Sequence, residues 1–204
     1  MKVGSDVKCV DFPCGDTRRS SYVLPEVRVD PADISVLLIS ETAPEKLGDY
    51  YYAGQDALFA QTTVLAFQDA GLRVVAVQDI LDRGVYLTTA VKCGKTAYGV
   101  AAATVEHCSH LLEQEIALFP NVKAYLLMGD VAIKAANAIA RRNRAPRVIP
   151  AGPTYKIRSG EFTFRGARAF PSYLQAGPSF FIEKSKRRMI AQDIAAALEI
   201  AGIS

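Results

Sequence analysis

Long apolar runs are missing from this sequence of 204 residues. None approaches the ~20 residues that a membrane-spanning helix needs, so we expect no membrane association. The first residues, MKVGSDVKCVDFPCGD, lack the apolar segment of a signal peptide, so we expect a cytoplasmic protein. Internal repeats, low-complexity tracts and a domain-splitting linker are also lacking. The net charge is only +3, which permits nucleic-acid binding without arguing for it.

Half of the residues are hydrophobic, which is enough for a sizeable core. Residues 1–33 are polar and show little periodicity, whereas residues 34–204 alternate between apolar runs and amphipathic stretches. We therefore predict an N-terminal arm over residues 1–33 that packs on one domain over residues 34–204. Because the arm has little core of its own, something else must tie it down.

Alternation of short apolar runs with amphipathic stretches is typical of an α/β fold. We predict a three-layer sandwich in which helices flank a central, mainly parallel, four-stranded sheet. Thr104 is the predicted N-cap of the helix after the second strand, and Ser159–Gly160 is a hairpin signal. The predicted strands cover 34–40, 85–92, 124–128 and part of 148–170, and the predicted helices cover 55–70, about 104–119, 130–140 and 182–201.

Four cysteines form two local pairs, Cys9-x4-Cys14 and Cys93-x14-Cys108. In a reducing compartment, buried thiols or metal ligands are expected rather than disulfides. Two pairs fit a tetrathiolate site that holds a four-iron–four-sulfur cluster or a structural zinc ion. Such a site would tie the arm to the domain. The alternative is that all four are small buried hydrophobic residues.

Several segments occur in an order that resembles one known family. They are ETAPE at 41–45, AGQ at 53–55, VYLTTAVKCGK at 85–95, TVEHCSHLLEQEI at 104–116, LLMGDVAIKA at 126–135 and RAFPSYLQAG at 168–177. Together they resemble the uracil-DNA glycosylase superfamily, specifically its iron–sulfur family 4 type. The resemblance implies a four-iron–four-sulfur cluster on Cys9, Cys14, Cys93 and Cys108, in preference to zinc. It also implies a base-excision repair enzyme whose partner is damaged or single-stranded DNA.

Three positions depart from the pattern of that family. Phe170 stands where the family has a histidine that donates a hydrogen bond to the departing base, and a phenylalanine ring has nothing to donate. Thr89 replaces an asparagine that reads the edge of uracil. Thr42 aligns with a catalytic glutamate, although Glu41 and Glu45 flank it. The resemblance therefore implies a catalytic carboxylate within Glu41, Thr42 and Glu45, in an uncertain register.

Cleavage of an N-glycosidic bond also needs an aromatic pocket for the base and contacts to the DNA backbone. Tyr50, Tyr51 and Tyr52 are candidates for the stacking surface, with packing of their own loop as the alternative. Phe170 and Thr89 would complete the base pocket. By resemblance, Ser172 would bind a phosphate, with capping as its alternative, and the loop of Leu174 and Gln175 would reach the duplex. Clustered cations are candidates for backbone contacts: Arg141, Arg142, Arg144, Arg147, Lys184, Lys186, Arg187 and Arg188.

Three functions stay open at this point. The first is a DNA glycosylase that removes uracil or another deaminated base. The second is a module with the same fold that has lost efficient catalysis and binds nucleic acid or a protein. The third, outside the resemblance, is a zinc-stapled α/β domain with a small-molecule site. We expect a monomer in each case.

Overall fold

The computed structural model describes residue 3 and residues 7–204, and in this part of the chain six strands form one sheet. They are β1 (Thr17–Arg18), β2 (Val36–Ala43), β3 (Val85–Lys95), β4 (Ala124–Met128), β5 (Phe162–Phe164) and β6 (Ala167–Ser172). The order across the sheet is β1-β3-β2-β4-β6-β5. The four central strands are parallel to one another.

The predicted number of four strands is wrong, because two short strands extend the sheet at its edges. β1 pairs antiparallel with the end of β3, and β5 pairs antiparallel with β6. Each extra strand is only two or three residues long, so its side chains give no period from which it could be predicted. The central, mainly parallel part of the prediction is confirmed.

The hairpin between β5 and β6 turns at Arg165–Gly166 and not at the predicted Ser159–Gly160. Arg165 and Gly166 both have positive φ, at 51° and 82°, as a two-residue turn matched to the twist of the strands requires. Ser159–Gly160 instead ends a helical turn, where the Gly160 N–H donates to the Ile157 carbonyl at 2.9 Å. Gly160 is therefore a turn residue, but its turn ends α5 and does not join two strands.

Seven α-helices in the described chain cover the two faces of the sheet. The apolar sides of α3 and α4 pack on one face, and those of α1, α2 and α7 pack on the other, so the three-layer prediction holds. None of these helices is long and apolar enough to cross a membrane. The helices are α1 (Leu58–Asp69), α2 (Val77–Asp82), α3 (Ala102–Ile116), α4 (Asp130–Arg142), α5 (Thr154–Ile157), α6 (Ser179–Ile182) and α7 (Lys184–Ala201).

The arm is joined to the domain by its own apolar residues and by hydrogen bonds. Val7 and Leu24 are buried in the core on the α3 side of the sheet. The Val23 N–H donates to the Lys92 carbonyl at 2.8 Å, which extends the arm along β3. Packing and backbone hydrogen bonds therefore hold much of the arm, independently of its cysteines.

Asp16, on the arm, takes the place that Thr104 was predicted to fill at the start of α3. Its carboxylate accepts from the Ala101 N–H at 2.6 Å and from the Thr104 hydroxyl. Partial burial opposes ionisation, but these hydrogen bonds outweigh it and lower the pKa of Asp16. Thr104 is inside the helix, because α3 begins two residues earlier than predicted.

Candidate functional site

Glu41 lies near the carboxyl end of β2, against the first turn of α4. Its Oε1 accepts from the Val131 N–H at 3.4 Å. Gly129 adopts φ 99°, and a Cβ built on it would lie 2.5 Å from that same oxygen, so the approach requires glycine. The carboxylate therefore lies at the positive end of the α4 macrodipole. Glu41 is half-buried and remains the carboxylate best placed at this edge of the sheet.

The other two predicted catalytic residues, Thr42 and Glu45, lie in different places from Glu41. Thr42 is half-buried and pairs with Val91 of β3, and the register between these strands shifts directly after it. Glu45 is exposed and forms an ion pair with Arg18 of β1 at 2.5 Å, on the arm side of the sheet. The structure therefore brings Glu41 and Thr42 to the strand end but leaves Glu45 outside it.

The three consecutive tyrosines build the loop after β2 rather than a free stacking surface. Tyr50 and Tyr51 are buried, with ring centroids 5.3 Å apart. The Tyr51 hydroxyl donates to the Ser40 Oγ at 2.6 Å. The Tyr52 hydroxyl donates to the Leu87 carbonyl and accepts from the Leu87 N–H, both at 3.0 Å, so it closes the open edge of β3. Because the Tyr50 and Tyr51 rings are buried, neither ring has a free face on which a base could stack.

Thr89 and Phe170, the other predicted members of the base pocket, are also buried. Both face the α1 and α7 side of the sheet, as strand alternation requires. The Thr89 hydroxyl has no hydrogen-bond partner among the described residues. The Arg168 guanidinium lies 4.8 Å from the centroid of the Phe170 ring. The region where the resemblance places a base is closed in this structure.

Ser172 ends β6 with its hydroxyl turned into the protein, and its contact with a phosphate stays a prediction. Its Oγ donates to the Asp193 Oδ2 at 2.5 Å. Arg158 also binds this carboxylate, through Nε at 3.2 Å and a terminal nitrogen at 2.6 Å. Burial raises the pKa of Asp193 more than these two partners lower it. The Ser172 hydroxyl is thus engaged in positioning the end of the strand.

The remaining residues of this loop also turn inward. Gln175 is buried and donates to the Tyr51 hydroxyl at 3.0 Å, while its Oε1 has no partner among the described residues. Leu174 is half-buried and packs against the core on the α7 side. Gln175 is closed off from solvent and Leu174 is only partly exposed, and the contacts of both with DNA stay a prediction.

All four cysteines line one small enclosed cavity of about 40 Å³. Cys9 and Cys14 come from the arm, Cys93 from β3 and Cys108 from α3, and all four are free thiols. Burial, together with repulsion from the neighbouring cysteines, raises the pKa of Cys93 to about 12. The sequence prediction that these four residues meet is therefore realised in the described structure. Around them, the cavity is also lined by Phe12, Thr17, Arg19, Tyr22, Lys92, His107 and Leu111.

A single metal ion has no ready site in the part of the chain that the structure describes. No group of three or more His, Cys, Asp or Glu side chains there is arranged to hold one. The cysteines thus surround a common space without converging on one point. His107 and His110 are both exposed on α3.

Comparison with known protein families matches residues 29–193 to the uracil DNA glycosylase superfamily. The chain belongs to this superfamily. Membership indicates a DNA-glycosylase-like function, with DNA as the partner and hydrolysis as the class of reaction. The matched range includes Cys93 and Cys108 but begins after Cys9 and Cys14. No curated protein matches the chain.

Within this glycosylase fold, the sequence analysis missed a buried ion pair beside the cysteines. Lys92 and Glu115 are fully buried and hydrogen-bonded to each other. The Lys92 backbone N–H also donates to the Cys108 Sγ at 3.3 Å. A lysine within the largely apolar run 85–93 was the available signal, because lysine is almost never fully buried without a partner.

Asp193 and Arg158 were missed as well. Asp193 lies between Ile190 and Ile194 on the inward side of α7, so its place in an apolar stripe was visible in the sequence. Arg158 gave no such signal, because it follows a four-residue helix that no period predicts. Only the tertiary structure brings it to Asp193.

The predicted basic clusters divide into paired and unpaired cations. Arg141 and Arg142 bind carboxylates of α3, and Arg187 binds Asp69. Lys186 pairs with Glu183 at 2.5 Å. Within these clusters, the exposed cations with no carboxylate within ion-pair distance among the described residues are Arg144, Arg147, Lys184 and Arg188.

Proposed function

We propose that the protein is a DNA N-glycosylase of base-excision repair that hydrolyses the bond between deoxyribose and uracil or another deaminated base. Membership in the superfamily supports the class of reaction. The observation that carries the proposal is the position of Glu41, a half-buried carboxylate held against α4 at the carboxyl edge of a parallel sheet. In open α/β sheets, ligands bind at this edge.

In this proposal, Glu41 stabilises the positive charge that develops on the sugar and orients the attacking water. The departing base carries a negative charge, and Phe170 donates no hydrogen bond to it. The loss of one such donor typically lowers a rate by ~100- to 1000-fold. Since Thr89 offers only a hydroxyl, we expect slow turnover and a weak preference among deaminated bases.

Strand-cleavage assays test the role of Glu41. Oligonucleotides that contain uracil, hypoxanthine or xanthine should slowly lose that base, and alkali then breaks the strand at the abasic site. Glu41→Gln should abolish that cleavage. Asp130→Asn is the matched control, because Asp130 is an exposed carboxylate on the first turn of α4, the helix that Glu41 contacts. Unchanged cleavage by Glu41→Gln would show that another group acts on the sugar.

A second function has its own observation in favour. Thr89, Phe170 and Tyr51 are all buried, so the walls of the expected base pocket already contact protein. This arrangement suits a module that binds DNA or a protein partner without removing a base. If none of the three substrates is cleaved and the protein still binds DNA, the result supports this function over the enzyme.

We also propose that Cys9, Cys14, Cys93 and Cys108 hold a four-iron–four-sulfur cluster. Tetrahedral bonds of about 2.3 Å would place sulfurs about 3.8 Å apart around one zinc ion. The described side chains have no such convergence, yet all four thiols line one cavity. A cluster suits this spacing better, because each cysteine binds a different iron. Bound there, it would join the arm to β3 and α3.

Metal analysis tests the cluster separately from activity. Protein purified without oxygen should contain about four irons per chain and be brown. Cys93→Ser should lose most of the iron, whereas His107→Ala, which changes an exposed residue of the same cavity wall, should retain it. Zinc or no metal in the purified protein would contradict the proposal.

A monomer and a cytoplasmic location remain predictions from the sequence.

A further inference from the structure

The outer edge of β5 has no strand beside it in the described chain, because β5 is the last strand of the sheet. Thr163, in the middle of β5, is paired with Arg168 of β6. The Arg168 N–H donates away from β5, to the Lys123 carbonyl at 3.0 Å, so the two residues form a non-hydrogen-bonded pair. The Thr163 N–H and C=O therefore point outward, and such an edge is a template for an added strand.

A groove of about 610 Å³ lies beside this edge, on the α3 and α4 face of the sheet. Phe162 and Phe164 both face it, because side chains alternate along a strand. Phe162 is half-buried, whereas Phe164 and Val148, which also line the groove, are buried. A strand added beside β5 would direct every second side chain into this apolar groove.

Positive charge surrounds the groove. Arg147 and Arg165 line it, and Arg144 lies between two of its lining residues. All three arginines are exposed. Arg144 and Arg147 have no ion pair among the described residues, and Arg165 approaches Glu113 only to 3.8 Å. Glu161 is the one acidic residue of the described lining. The groove is therefore complementary to carboxylates.

The groove lies far from the strand-end site. It adjoins the end of α4 and the turn that leads into β6, both at the amino end of the parallel strands. Glu41 contacts the start of α4, and the 13 residues of this helix span about 20 Å. Phosphates would use the arginines alone, whereas an extended polypeptide also uses the free backbone groups and the apolar lining. The combination favours a polypeptide.

We propose that the β5 edge, with its groove and Arg144, Arg147 and Arg165, is a docking site for an extended acidic segment of a partner protein. The segment adds to the sheet as a further strand and exchanges backbone hydrogen bonds with Thr163. One of its apolar side chains packs on Phe162, and carboxylates on either side of it bind the arginines. The strand-end site stays open while the partner is bound.

Labelled peptides test this docking by fluorescence anisotropy. In an extended peptide of sequence ETETVTETE, one face presents a valine between glutamates, as the groove requires. The protein should bind it at least about 10-fold more tightly than KTKTVTKTK, which reverses the charge. A version of ETETVTETE that is N-methylated through its centre keeps the side chains but lacks the N–H donors, and it should bind about 10-fold more weakly. No binding of ETETVTETE, or equal binding of the three peptides, would overturn the inference.

Variants of the protein locate the docking site. Arg144→Gln with Arg147→Gln should weaken binding of ETETVTETE about 10-fold. Arg73→Gln is the matched control, because Arg73 is an exposed arginine between two core residues of the opposite face, and it should leave binding unchanged. An unlabelled DNA duplex should not displace the peptide. Displacement by DNA, or wild-type affinity in the double variant, would show that the peptide binds elsewhere and would overturn the inference. None of these outcomes depends on glycosylase activity.

Discussion

Two buried carboxylates occupy comparable places on opposite faces of the sheet. Glu115 on α3 accepts from two hydroxyls of β3, Tyr86 at 2.7 Å and Thr88 at 2.8 Å, and pairs with Lys92. Asp193 on α7 accepts from the Ser172 hydroxyl of β6 and pairs with Arg158. In both places, a helix is fastened to the strand beneath it through a carboxylate, a hydroxyl and a cation.

The two carboxylates differ in their access to water. Lys92 and Glu115 are both fully sealed, between the two elements that carry Cys93 and Cys108. The Arg158 side chain is 17% exposed, and Asp193 supports the loop next to the strand-end site. The pair on the cysteine side is therefore closed to water, whereas the pair beside the strand-end site is partly open to it.

The largest expected effect comes from breaking the sealed pair. Glu115→Gln leaves the Lys92 ammonium buried without a counter-charge, so we expect a loss of about 3–5 kcal/mol in the free energy of unfolding. Urea denaturation measures this loss. Glu113→Gln, on the same helix but partly exposed, is the control and should cost about 1 kcal/mol or less. A loss below that of the control would show that the buried pair contributes nothing.

Replacing both partners of the sealed pair should cost less than removing one. In Lys92→Met with Glu115→Leu, no unpaired charge stays in the core, so most of the loss should be recovered. The Tyr86 and Thr88 hydroxyls would still lack their acceptor, which leaves a cost of about 1–3 kcal/mol. A double-mutant cycle from urea denaturation measures the recovery. Additive losses would mean that the two residues do not act as a pair.

A smaller effect is expected at the second carboxylate. Asp193→Asn keeps an oxygen for the Ser172 hydroxyl and removes the counter-charge of Arg158, which water reaches. Because burial of this charge costs more than its partners return, we expect a change of no more than about 1 kcal/mol at neutral pH, again by urea denaturation. A loss as large as that of Glu115→Gln would contradict the difference drawn between the two sites.

The smallest effect is a pH dependence that Asp193 should produce. Burial raises its pKa in the folded protein above the value in the unfolded chain. The folded state therefore holds this proton more tightly, and the associated stability is present at low pH and lost as pH rises through the raised pKa. Unfolding measured across this acid range should show the decline in the wild-type protein, and Asp193→Asn should lack it. The same decline in both proteins would assign it to another group.

Local patterns predicted what depends on neighbours in the chain. The apolar run 124–128 became β4 without change, because five consecutive apolar residues between turns fit a strand buried on both faces. The pairing of Thr17 and Arg18 with the end of β3 could not be predicted, because a strand of two residues takes its conformation from its partner. The start of α3 was misplaced for the same reason, since its cap, Asp16, lies 85 residues earlier than the N–H it binds.

The sequence by itself determined the α/β class and the parallel centre of the sheet. Periodicity encodes these features, because they follow from burial along each segment. The meeting of Cys9 and Cys14 with Cys93 and Cys108 depends on how the arm packs on the domain. Tertiary structure alone decided that Glu41 rests on α4 while Glu45 turns to Arg18, and that Ser172 faces Asp193. A side chain's partner depends on which distant segment packs beside it, and no local pattern in the chain records that.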